Sequence, residues 1–153
     1  MLMVKIMIHR VLFLVVFGIF PVITFAEDIV SDKYHDMTKG DINAAFTIIE
    51  YASFTCSHCA TFHKEVFPKL KRDYIETGKV KFVYREVYFD APGLWAGLLA
   101  RCASKEKYFG IVDLLYDKQD KWAFGKSEKE ILNGLFAIGR QVGLEEGQIN
   151  LCL

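Results

Sequence analysis

An α/β fold with a helical second half is what this sequence predicts, and three observations predict it. Two apolar runs rich in β-branched and aromatic residues flank one segment of helical period. Everything after the second run repeats its apolar residues at helical spacing. A Cys-x-x-Cys tetrapeptide, Cys56-Ser57-His58-Cys59, stands at the joint between the first run and the helix.

Taken in order, residues 1–26 read as a signal peptide. Lys5, His9 and Arg10 form a basic start, Val11 to Phe20 an apolar core, and Thr24-Phe25-Ala26 a small-x-small cleavage site before Glu27. An uncleaved membrane anchor is the alternative, although the apolar stretch is short against the ~20 residues of a spanning helix. Residues 27–153 form the remaining domain. Their lead-in, 27–43, is polar and carries no strand or helix signal.

The first strand is the run Phe46-Thr-Ile-Ile-Glu-Tyr51. From Cys56 to about Tyr74 the residues Cys59, Phe62, Val66, Leu70 and Tyr74 recur every three or four positions, so one helix is expected, kinked at Pro68. Gly78 ends it. Val80-Lys-Phe-Val-Tyr-Arg-Glu-Val87 is the second strand. Residues 46–87 thus form a βαβ unit with parallel strands.

Residues 92–153 read as helices only. Pro92 starts one that runs to about Ser104, and Tyr108, Ile111, Val112, Leu115 and Tyr116 mark the next. Ser127-Glu-Lys-Glu130 has the capping-box pattern of a third, whose C-cap falls at Gly143. A short helix closes the chain over about 145–151. A two-stranded sheet is marginal, and its uncovered edge is an aggregation risk.

Charge narrows the partners. The whole chain has 19 basic and 19 acidic residues. Removal of 1–26 takes Lys5 and Arg10 but no acid, leaving 17 basic against 19 acidic and a net charge of −2. Nucleic acid is therefore not an expected partner, because phosphate binding calls for a basic surface. An aromatic content of 14% is enough to build a core.

The four cysteines are Cys56, Cys59, Cys102 and Cys152. Export implies an oxidising compartment where disulfides persist. If Cys56 and Cys59 pair, Cys102 and Cys152 are left for each other, closing a loop of about 50 residues worth ~4 kcal/mol on a loop-entropy account. Two buried free thiols are the alternative. The Cys56–Cys59 motif at a strand-to-helix junction is the layout of a thioredoxin-like redox site. Cys56 falls where the N–H groups of a helix start stabilise a thiolate, the attacking species in disulfide exchange. Cys56-x2-Cys59-x3-His63 also has the flavour of zinc ligation, but it lacks a second pair of ligands, so no metal is expected. Haem attachment is excluded because Ala60, not histidine, follows Cys59.

Beyond these patterns the chain resembles the DsbA-like thiol:disulfide oxidoreductases of bacterial periplasms. The segments that carry the resemblance are Gly40 through Cys59, Phe62-His-Lys-Glu-Val-Phe-Pro-Lys-Leu70, Lys81-Phe-Val-Tyr-Arg-Glu86, Ala100-Arg-Cys-Ala103, Trp122-Ala-Phe-Gly125, and Leu144 with Cys152-Leu153. It implies a thioredoxin-like fold with a helical insertion at 92–153. It implies Cys56 as nucleophile and Cys59 as resolving thiol of a redox disulfide. His58 would stabilise the Cys56 thiolate, and Glu50 would relay a proton to or from Cys59. It also implies reduced exported proteins as substrates, a membrane partner that regenerates the disulfide, a periplasmic location, and no cofactor beyond the cysteine pair.

Two departures stand against that pattern. The dipeptide between the cysteines is Ser-His where Pro-His is common. The family's cis-proline loop, last strands and final helix have no counterpart, since Pro21, Pro68 and Pro92 all lie elsewhere. The expectation is an N-terminal portion of such a protein, and the rival expectation is a non-catalytic remnant.

Overall fold

The computed structural model describes residues 35–153; the signal-peptide reading of 1–26 lies outside the described residues. Residues 36–153 form one unit, built on three strands: β1 (Met37–Lys39), β2 (Phe46–Ala52) and β3 (Val80–Glu86). Their order is β1-β3-β2. β2 lies parallel to β3, from Phe46 beside Val80 to Ala52 beside Glu86. The parallel pair expected from the βαβ pattern is present.

β1 corrects the two-strand expectation, which left 27–43 without structure. It pairs antiparallel with β3, Met37 opposite Tyr84 and Lys39 opposite Phe82. Three residues are too few to show a period. What fixes them is tertiary: Met37 is buried, and the Arg85 guanidinium donates two bonds of 2.8 Å to the Asp36 carboxylate. Gly40 then turns the chain at φ +95°, where a Cβ would meet the Val80 carbonyl at 2.7 Å.

The single kinked helix expected over 56–74 is three pieces. α1 (Ser57–Glu65) stops at Val66, α2 (Phe67–Leu70) follows, and a π-helical turn (Lys71–Ile75) completes the descent. Pro68 is the cause. It has no N–H to give, and its ring would crowd the carbonyl four residues back. The chain restarts on the Val66 carbonyl, which accepts from both Lys69 N (3.0 Å) and Leu70 N (3.1 Å).

The second half is helical as expected. α3 (Ala91–Cys102) is capped by Asp90, whose carboxylate accepts from Gly93 N at 2.7 Å. α4 (Lys105–Asp117) follows, then a one-turn helix α5 (Gln119–Trp122) that the periodicity did not reveal. α6 (Glu128–Gln141) starts on the Ser127 cap, and Gly143 takes the left-handed conformation after it. Glu130 reaches back to Lys126 N at 2.8 Å rather than to Ser127 itself, a capping box shifted by one residue. α7 (Glu146–Cys152) ends the chain, and a disulfide joins Cys152 to Cys102 at the end of α3, with Cα atoms 6.0 Å apart.

Sheet and helices share one core, with Phe54, Phe82, Tyr84, Leu99, Tyr108, Leu115 and Trp122 essentially inaccessible. A polar tie crosses it. Glu86, at the end of β3, accepts two bonds from Arg101 of α3 (2.6 and 2.7 Å) and one from the Tyr108 hydroxyl of α4 (2.7 Å). Each oxygen of this nearly buried carboxylate is therefore satisfied, the condition under which burying a charge is tolerated.

Candidate active site

β2 runs out at Ala52 and the chain turns through residues 53–55 to deliver Cys56 as the N-cap of α1. The turn is held from several sides. Cys56 N donates to Ser53 O at 3.1 Å. Thr55 donates its hydroxyl to Asp90 at 2.8 Å, which ties the turn to the α3 cap. Gln119, buried on α5, donates its amide to the carbonyls of Phe54 (2.8 Å) and Cys56 (3.0 Å). Gln119 and Asp90 escaped the sequence reading. A buried glutamine on a one-turn helix has no period to announce it, whereas Asp90 before Ala91-Pro92 carried a legible cap signal.

Cys56 and Cys59 are both free thiols and both half-buried. Cys56 has extended backbone, and its sulfur accepts from Cys59 N at 3.3 Å. That leaves the two sulfurs of the pair in different settings. Burial pushes the Cys59 thiol up to about 11, with further contributions from its hydrogen bond to Cys56 and from the charge of Glu50. His58 lies exposed on the same first turn. The fold thus brings Cys56, Cys59 and Glu50 into one electrostatic unit and leaves the His58 ring at the surface.

Glu50, on β2, faces α1 and is 3.0 Å from His63 Nε2. His63 is buried. Its ring stacks on Tyr116 with centroids 4.2 Å apart and meets Phe67 at 4.9 Å. The Tyr116 hydroxyl lies 2.6 Å from that of Tyr84 and donates to Ser53 O at 3.2 Å. Burial raises both phenols, so they stay neutral and serve as hydrogen-bonding groups. The sequence reading met His63 only as a zinc ligand candidate. Among the described residues no group of three or more His, Cys, Asp or Glu is placed to hold a metal, and His63 is paired with Glu50 instead. The signal that finds it is the coincidence of a carboxylate inside an apolar strand and a histidine four residues after Cys59.

Comparison with known proteins adds to this geometry. The family model described as Thioredoxin matches residues 32–153. The crystal structure of Wolbachia pipientis alpha-DsbA1 superposes with a TM-score of 0.71 at 36% identity, covering 77% of this chain and 59% of that one. The oxidised form of BdbD from Bacillus subtilis has a TM-score of 0.65 at 20% identity, covering 76% of this chain and 65% of that one, a likeness of fold. A Rickettsia prowazekii relative carrying a protein-disulfide oxidoreductase name is 33% identical over 120 residues, 78% of this chain and 43% of its own length. The chain therefore spans less than half the length of that relative.

Proposed function

This chain belongs to the thioredoxin family, in its DsbA-like group, and on that premise we propose that it is a thiol:disulfide oxidoreductase that donates the Cys56–Cys59 disulfide to reduced exported proteins. The asymmetry of the two thiols carries the reading. Cys56 caps α1 with a backbone N–H directed at its sulfur, and Cys59 is held back by a thiol pushed up to about 11. One sulfur is built to be attacked and the other to leave and be reprotonated.

In the donating direction, a substrate thiolate attacks Cys56 Sγ of the disulfide. The Cys56–Cys59 bond breaks, and Cys59 departs as a thiolate that takes up a proton. A second substrate thiolate then attacks the substrate sulfur of the mixed disulfide and releases the Cys56 thiolate. Two electrons pass to the protein pair and the substrate gains one disulfide. Glu50 is the group we assign to proton traffic at Cys59, and a protonated His58 the one that stabilises the released Cys56 thiolate. Reoxidation by a membrane partner and a periplasmic setting belong to the same proposal. They rest on the signal-peptide reading of 1–26 and on the kinship.

The test is disulfide transfer to reduced ribonuclease by the oxidised chain, beside Cys56→Ser. Transfer by the native chain and its loss by more than about a thousandfold in the variant support the reading, since the thiolate is the nucleophile. A chain that unfolds cooperatively yet transfers nothing is a folded, non-catalytic protein, and the proposal fails.

A further inference from the structure

The Glu50 side chain is 14% exposed and is held against α1, so the group it is hydrogen-bonded to is a route for its proton. Its only polar neighbour in hydrogen-bond reach among the described residues is His63 Nε2, at 3.0 Å. The other ring nitrogen, Nδ1, is buried and has no hydrogen-bond partner among the described residues. A buried polar atom left unmatched costs free energy, and native structures usually supply water for it. The same histidine lines a cavity of about 300 Å³ between α1 and α4, together with Lys64, Phe67, Lys71, Asp113, Tyr116 and Asp117. That space is roomy enough for several waters and is bounded by four charged side chains, Lys64, Lys71, Asp113 and Asp117.

Resting on the exchange reading of Cys56 and Cys59, we infer that His63 is the residue that carries protons between this cavity and Glu50, and so serves Cys59. The tautomer with Nε2–H directed at Glu50 leaves Nδ1 as an acceptor. When Cys59 leaves as a thiolate, a cavity water gives a proton to Nδ1, Nε2–H passes to Glu50, and the Glu50 carboxyl gives its proton to Cys59 Sγ through an intervening water. His63 ends neutral in the opposite tautomer and Glu50 ends ionised. When Cys59 later loses its proton to close the disulfide, the proton returns through Glu50 to Nε2, and Nδ1–H is released to the cavity. The two half-reactions therefore reset one another, with no net change on the histidine.

The charged and titratable groups around the ring come from every element that packs on it. They are Glu50 from β2, Tyr84 from β3, Lys64 from α1, Lys71 from the π turn, and Asp113, Tyr116 and Asp117 from α4. The aromatic clamp of Tyr116 and Phe67 fixes the ring, so the relay needs proton shifts and no side-chain rotation.

The experiment follows the reduced full chain with oxidised glutathione, quenched with acid and resolved by mass, from pH 5 to 9. Two steps are read: the mixed disulfide on Cys56, and its closure by Cys59. In His63→Gln, which keeps an amide for Glu50 but cannot carry a proton, the first step is unchanged. Closure slows by about a hundredfold, the size of an ordinary acid–base contribution. In His63→Ala, added imidazole restores closure, and substituted imidazoles do so in order of basicity. In the native chain, closure in mixed H2O and D2O gives a curved dependence on deuterium content, the mark of more than one proton in flight. Closure as fast in His63→Gln as in the native chain overturns the inference, as does rescue of His63→Ala by a non-basic ring of the same size. A native chain that forms no mixed disulfide at Cys56 overturns the exchange reading, and the inference falls with it.

Discussion

β2 and β3 are written in much the same alphabet and meet opposite surroundings. Both are seven residues long, and they lie parallel in register. In β3, Val80, Phe82, Val83 and Tyr84 are all buried, with Phe82 at 0% exposure. In β2, Phe46 is 71% exposed, Tyr51 62% and Ile49 44%. The cause is position. β3 has a strand on each side and the helical half across it, while β2 is the outer strand and shows one apolar face and one unpaired edge to the surroundings. An apolar run thus states what a strand needs covered, and neighbours decide whether it is. The β2 face that carries Ile49 and Tyr51, both exposed, has the character of a covered strand without the cover.

The contrast can be broken or sharpened by substitution. The largest effect is expected in β3: Phe82→Ala should cost about 3–5 kcal/mol in urea unfolding, the range for a large core aromatic. A cost below about 1 kcal/mol would mean that β3 is not the centre of the core. Next comes Glu86→Gln, which leaves Arg101 and Tyr108 without their anion. Arg101 is about a quarter exposed, so the full penalty for orphaning a buried charge is discounted to about 2 kcal/mol. In β2, Ile49→Thr should move stability by less than about 0.5 kcal/mol, because the residue is already 44% exposed on an outer strand. The same change should reduce self-association in sedimentation velocity, where equal association by both proteins would show that this edge is inert.

The smallest effect concerns β1. Asp36 is held below the usual carboxylate range, first by its hydrogen bonds with Arg85 and then by that guanidinium's charge. A lowered folded-state value contributes stability above the ordinary carboxylate pKa of about 4, and that stability is lost as pH falls through the folded value. Asp36→Asn should therefore loosen β1 near neutrality, read as faster amide exchange at residues 37–39, and its difference from the native chain should shrink as pH falls toward 3. A variant that loosens β1 equally at both pH values would refute the ion pair as the cause.

The elements that could be read from sequence are those whose own residues carry the period. The βαβ unit, α3, α4 and α6 announced themselves through apolar spacing, through Pro92 at the start of α3 and through the caps at Ser127 and Gly143. β1 and α5 did not, because three and four residues hold no period and their placement comes from Arg85 and from the buried Gln119 and Trp122. The helix break was legible as a kink at Pro68 but not as a restart on the Val66 carbonyl followed by a π turn. In the site, the cysteine pair and Glu50 were visible as residue types in a pattern. The Glu50–His63 pair was not, since it joins a strand to a helix across 13 positions.

The Cys102–Cys152 bridge sits far from this contrast and closes a covalent ring over α4 to α7. A protease that cuts the exposed segment about Phe124, between α5 and α6, opens that ring without dividing the molecule. The nicked chain should keep its mass on a non-reducing gel and separate into two pieces only after reduction.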